Sequence, residues 1–130
     1  MRLEHVYRLS FRYSGIWDAQ DLRLLFGDGR CEGRVSGGFR GMNHPRLRAD
    51  DDMYLPDFQG VIETDDGATI LWHLTGYGWP ESGRVVAAVK HASDDDRYAW
   101  LNDVLCAVEG TVARREVVLD VSELVWEGLR

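Results

Sequence analysis

YLPDFQGVIETDDGATILWHLTGYG, from Tyr54 to Gly78, decides the fold. Apolar and polar residues alternate on both sides of Asp66-Gly67, so the stretch reads as one long β-hairpin. Asp-Gly suits a two-residue turn, because both residues tolerate the positive φ that such turns need. That turn sets Val61 opposite Trp72, Gln59 opposite Leu74 and Asp57 opposite Gly76. One face then carries Asp57, Gln59, Val61, Ile70, Trp72 and Leu74, and the other Phe58, Gly60, Ile62, Leu71, His73 and Thr75. Both faces are partly apolar, which predicts cover on both sides. The first face, with a carboxylate and an amide among large apolar groups, is the one expected to line a pocket.

Outward from the hairpin, Leu3 to Tyr13 alternates strictly, with Leu3, His5, Tyr7, Leu9, Phe11 and Tyr13 on one side. His5 is expected as a hydrogen-bonded core histidine. Gly15 is expected to end this strand, and Gly27-Asp28-Gly29 to form a turn. Glycines 33, 37, 38 and 41 fall in strand-like sequence, which suggests bulges or sharp coiling. They match no phosphate-binding pattern, having neither the G-x-x-x-x-G-K-[ST] spacing nor a following helix. Arg84 to His91, Val104 to Arg114 and Glu116 to Trp126 complete the strands. In the last of these, Glu123 sits in the apolar row of Val117, Leu119, Val121 and Val125. It either snorkels at the strand end or is a buried acid. Ser93, followed by Asp94, Asp95 and Asp96, has the pattern of a helix N-cap, so one short helix is expected near residues 94–102. The outcome is a mainly β chain, a single domain over residues 1–130, closing its edges as one antiparallel barrel.

The chain has 130 residues, enough for a hydrophobic core without staples. Its net charge of −7 argues against nucleic acid and anionic membrane surfaces. Cys31 and Cys106 are too few and isolated for a disulfide framework and are expected as free buried thiols. The start of the chain has no apolar signal region, and Val85–Val89 is far too short to span a bilayer. A cytoplasmic location is the expectation. His5, His44, His73 and His91 show no metal-ligand spacing, so no metal and no cofactor are expected. No nucleophile motif is present either.

The candidate chemistry is acid/base. Asp57 beside Trp72 and Leu74 would lose hydration and rise in pKa towards a useful general acid or base. The competing reading is that Asp57 bonds backbone N–H groups of the preceding loop. His44 is the expected partner, with Tyr77 as another proton partner. Gln59, Trp72, Tyr77, Trp100, Asn102, Arg46 and Arg48 are expected to contact substrate, with Asn43, His44, Arg46 and Arg48 closing over the mouth to bind an anionic substrate or enolate-like intermediate. His44, Arg46 and Arg48 lie on the polar loop Asn43–Met53, the candidate lid over a barrel mouth. An ordinary solvated loop is the alternative.

Phe39-Arg40-Gly41, Pro56-Asp57-Phe58-Gln59, Thr64-Asp65-Asp66-Gly67-Ala68 and Arg97-Tyr98-Ala99-Trp100-Leu101-Asn102 together resemble the DUF3237 family of small bacterial proteins. The resemblance covers nearly the whole chain and is most specific at TDDGA and RYAWLN. It implies a calycin-like antiparallel barrel and no defined chemistry. The family pattern often has arginine where this chain has Gln59, and a Gly-rich Asp-Trp loop where it has Met42-Asn43-His44-Pro45. These differences imply a subgroup with its own ligand. Two functions fit. One is a cofactor-free lyase or isomerase acting on an apolar or aromatic metabolite. The other is a non-catalytic small-molecule carrier. A homodimer is compatible with both.

Overall fold

The computed structural model describes residues 1–129. Eight strands close into an antiparallel barrel: β1 (Arg2–Ala19), β2 (Leu22–Gly33), β3 (Gly37–Asn43), β6 (Asp57–Thr64), β7 (Thr69–Gly78), β8 (Arg84–Ala92), β9 (Leu105–Ala113) and β10 (Glu116–Val125). They neighbour one another in that order, and β10 pairs back onto β1. Two short strands, β4 (Arg46–Leu47) and β5 (Tyr54–Leu55), form a small hairpin held to β7 through Tyr54 and Gly78. Antiparallel up-and-down closure separates the connections into two sets. The β2–β3, β6–β7 and β8–β9 connections lie at one end, here called the base. The β1–β2, β3–β6, β7–β8 and β9–β10 connections lie at the other, the mouth.

The expected helix is a single 3-10 segment, Ala99–Asp103, which begins later than the acidic run suggested. Ser93 does not cap it. Its Oγ instead donates to the Thr69 carbonyl at 2.9 Å and accepts from the Asp95 N–H at 3.2 Å, so the acidic run is a turn.

The central hairpin departs from the expected register. Glu63 pairs with Thr69 and the Thr64 N–H donates to the Ala68 carbonyl at 2.9 Å, so three residues, Asp65, Asp66 and Gly67, form the loop. Gly67 has φ +91°, the left-handed position of a bulged hairpin loop. One extra residue moves β6 by one position relative to β7, and a strand's faces swap with each single step. Gln59 therefore pairs with His73 and Asp57 with Thr75. On β7 the facing is as expected, with Trp72 buried and His73 exposed. On β6 it is reversed: Phe58 and Ile62 enter the core, and Gln59 faces outward.

β1 differs in the same way. A bulge between His5 and Tyr7 puts Val6 and Tyr7 both inside. Leu3 and His5 turn outward, and His5 Nε2 lies 3.1 Å from Asp120 Oδ1. A second bulge between Tyr13 and Gly15 lets β1 run on to Ala19 rather than stop. Gly27 and Gly29 belong to strand β2 and make no turn. A Cβ at Gly29 would sit 2.5 Å from Phe11 Cα, and one at Gly27 would sit 2.8 Å from the Phe11 ring. Close packing on Phe11 explains both glycines. Cys31 and Cys106 are free and buried, as expected, and burial pushes each thiol up to about 11.

Candidate functional site

The interior has three levels. At the base, Trp72 Nε1–H donates to Tyr7 Oη at 2.9 Å, and Tyr7 Oη lies 2.7 Å from His91 Nε2. All three residues are buried. Loss of hydration holds His91 down to about 4, so its ring is neutral at ordinary pH. The middle is an aromatic plug. Phe11, Phe39, Phe58 and Trp72 meet at centroid distances of 4.8 to 5.7 Å. Above the plug is a cavity of about 400 Å³ that opens at the mouth.

Phe11, Phe58, Leu74, Val85 and Leu119 supply much of the cavity's apolar wall. Its inner polar groups are Tyr13 and Asn43. Tyr13 follows Tyr7, Leu9 and Phe11 on the inward face of β1. Asn43 ends β3 and is 6% exposed, so its amide has to be satisfied within the protein. The Asp57 backbone N–H donates to Asn43 Oδ1 at 3.1 Å. A backbone N–H only donates, which fixes the amide orientation and turns Nδ2 towards Tyr13. Nδ2 donates to Tyr13 Oη at 3.2 Å. The Tyr13 oxygen thus accepts from the protein, and among the described residues nothing accepts its proton. Burial raises the Tyr13 pKa, so the phenol stays protonated.

The outer ring of the cavity is basic. Arg23, Arg84, Arg114 and Arg115 line it, and none of its lining residues is Asp or Glu. Arg23 is held by Asp18 at 2.9 and 3.3 Å. Arg84 lies over the Trp79 ring, 5.2 Å from the centroid.

The sequence-expected site residues divide around this geometry. The Asn43–Met53 loop does sit at the mouth, but Pro45 with Tyr54 and Pro56 faces the cavity, while His44, Arg46 and Arg48 do not line it. Arg48 is tied to Asp51 at 2.6 and 2.9 Å, and its guanidinium carbon is 5.9 Å from the Tyr77 ring. Asp57 is not in the lumen. Its Oδ1 meets His73 Nε2 at 2.8 Å on the outer surface, where both side chains are nearly half exposed. The one-step register shift that reversed Gln59 reversed Asp57 with it. His44 touches Asp57 only through a backbone bond, its N–H donating to the Asp57 carbonyl at 2.9 Å. Tyr77 is exposed on the outer wall. Trp72 is interior, as expected, but packs in the plug rather than lining the cavity. Trp100 and Asn102 are at the base, remote from the mouth. Arg34 lies over the Trp100 ring at 4.5 Å and donates to Glu123 at 2.8 Å, which resolves Glu123 as a paired acid. Asn102 brackets Ser93, accepting from its N–H and donating to its carbonyl.

TDDGA and RYAWLN also meet at the base. Arg97 donates to the Asp66 carbonyl, and the Tyr98 hydroxyl donates to the Asp66 carboxylate at 2.8 Å. These stretches build the closed end and contribute nothing to the cavity. Sequence reasoning missed Tyr13, Arg23, Arg84, Arg114 and Arg115; it placed Asn43 at the mouth but not as the amide that holds Tyr13. Tyr13 carried one usable signal, as the last member of an inward apolar row.

No protein-family profile matches the chain, and no curated protein matches it. Solved structures do. A β-barrel-like protein from Acinetobacter baumannii AYE has a TM-score of 0.82 at 20% identity, covering 95% of this chain and 96% of its own. A conserved protein of unknown function from Rhodopseudomonas palustris has a TM-score of 0.83 at 18% identity, covering 95% and 97%. An enzyme from Penicillium herquei is more distant, at 0.57 and 21% identity, covering 92% and 93%. This chain shares their barrel fold. No helix among the described residues is long and apolar enough to cross a membrane.

Proposed function

We propose that the barrel binds a small apolar or aromatic metabolite in the mouth cavity, through a hydrogen-bond acceptor on the ligand that takes the Tyr13 proton. The observation that carries this reading is the polarity of the Tyr13–Asn43 pair. The protein donates to the phenol oxygen and leaves the O–H without a partner, inside a cavity of metabolite size with mainly apolar walls. Membership of the DUF3237 family remains part of this proposal, supported by the way its two most specific stretches fit together at the base.

Acid/base catalysis is the second reading. It is favoured by the same unclaimed proton, which is placed to polarise a carbonyl or protonate an enolate-like intermediate. Asp57 and His44 have no part in it, because neither side chain lines the cavity.

Prodan, an apolar naphthalene ketone whose emission reddens when its carbonyl accepts a hydrogen bond, tests the binding reading. One molecule per chain is expected to bind saturably. Tyr13→Phe should shift the bound emission to the blue, and Val85→Trp, which fills the cavity, should abolish binding. Folded protein that gives no saturable signal, or a Tyr13→Phe variant with unchanged emission, contradicts the reading.

A further inference from the structure

We infer that the ligand of this cavity is an organic anion, with an apolar body in the barrel and an ionised carboxylate or comparable oxyanion beneath the Arg114–Arg115 turn. The inference rests on the binding reading above and adds the charge of the ligand.

Four arginines ring one opening of a protein whose net charge is −7, with no acidic residue among the lining. Elsewhere most arginines are paired: Arg8, Arg30, Arg34, Arg40, Arg48 and Arg97 each hold a carboxylate, while Arg12 and Arg46 hold none among the described residues. Arg114 and Arg115 make no side-chain hydrogen bond or ion pair among the described residues. Two exposed guanidiniums without an internal partner at the rim of an apolar cavity offer an anion a bidentate, charge-assisted site.

The turn itself is costly as built. Ala113 pairs with Glu116, so Arg114 and Arg115 are the two central residues of a tight hairpin. Arg114 has φ +60°, a backbone position that glycine occupies without strain and an arginine does not. A strained residue whose side chain serves no internal contact points to a use outside the protein. The Tyr13 N–H donates to the Arg115 carbonyl at 2.9 Å, which pins the turn beside the phenol. A guanidinium and a neutral O–H donor therefore converge on the same wall. A carboxylate takes both, accepting the Tyr13 proton on one oxygen and meeting the cationic fork with the other.

Anilinonaphthalene sulfonate and N-phenylnaphthylamine share one aromatic skeleton and differ by the anionic group. Fluorescence titration of both against the full chain separates charge from shape. The sulfonate is expected to bind roughly tenfold tighter than its neutral twin, the scale of one charge-assisted hydrogen bond. Added salt should narrow that gap. Arg114→Gly should keep or raise the melting temperature, since it relieves the positive φ. It should also lose most of the preference for the sulfonate over N-phenylnaphthylamine. Arg115→Gln, made independently, should lose the preference without the gain in stability. Equal affinity for the two probes, or a sulfonate preference that survives in both variants, overturns the anion inference while leaving the binding reading intact. Binding of neither probe to folded protein overturns both.

Discussion

Tyr7 and Tyr13 stand on the same strand, face the same interior and differ in what their hydroxyls meet. At the base, Tyr7 is fully buried. Trp72 donates to its oxygen, and His91 Nε2, 2.7 Å away, accepts its proton in the tautomer protonated at Nδ1. Nδ1 of that tautomer has no hydrogen-bond partner among the described residues. At the mouth, Tyr13 accepts from Asn43 and keeps its proton unspent beside a cavity. The same side chain is structural where the protein uses both of its hydrogen-bonding roles and available for a ligand where it uses one. The surrounding charge differs in part: the base ties Arg30, Arg34 and Arg97 to carboxylates, and at the mouth Arg23 and Arg48 are paired while Arg114 and Arg115 have no such partner among the described residues.

The largest expected effect lies at the base and depends on pH. Burial lowers His91 from 6.5 to about 4, so the unfolded chain binds the proton that the folded chain refuses. This contribution to stability is fully present above pH 6.5 and is lost as pH falls from there towards 4. Its size is on the order of 3 kcal/mol, as an upper figure, from the shift in pKa. Chemical denaturation across this range should show wild-type stability falling with acid. His91→Gln should lack that part of the slope, and an identical slope in the variant removes the assignment.

Exchanging the two tyrosines tests the contrast directly. Tyr7→Phe leaves the Trp72 N–H and His91 Nε2 buried without partners and should cost about 2 kcal/mol. Tyr13→Phe removes one hydrogen bond at a cavity edge and should cost less than about 1 kcal/mol. Its consequence belongs in ligand binding. Equal losses of stability in the two variants would mean that Tyr13 is as structural as Tyr7.

The smallest effect is expected on the outer wall. Asp57 and His73 form a half-exposed pair, a kind that typically contributes within about 1 kcal/mol. Asp57→Asn should leave both stability and probe binding nearly unchanged. A loss of binding well beyond twofold would return Asp57 to the site.

The central hairpin shows how far local pattern reaches. Its existence was legible from alternation around Asp66-Gly67, as were the strand rows of β8 to β10, the free thiols and the antiparallel closure. The loop length was not. Asp65-Asp66-Gly67 supports a two-residue or a three-residue turn, and the loop that forms is bonded by Arg97 and Tyr98, 31 and 32 residues beyond Asp66. A shift of one residue there moved Asp57 and Gln59 out of the barrel and Phe58 into it. His5 left the interior through the bulge that brought Val6 in, again a choice made by pairing with β10. Periodicity along the chain thus determined that this protein is a barrel and supplied the residues available to line it. Only closure of the sheet decided register. Register decided that Tyr13, Asn43 and the Arg114–Arg115 turn share one mouth, because a side chain's face depends on its partner strand as much as on its own sequence.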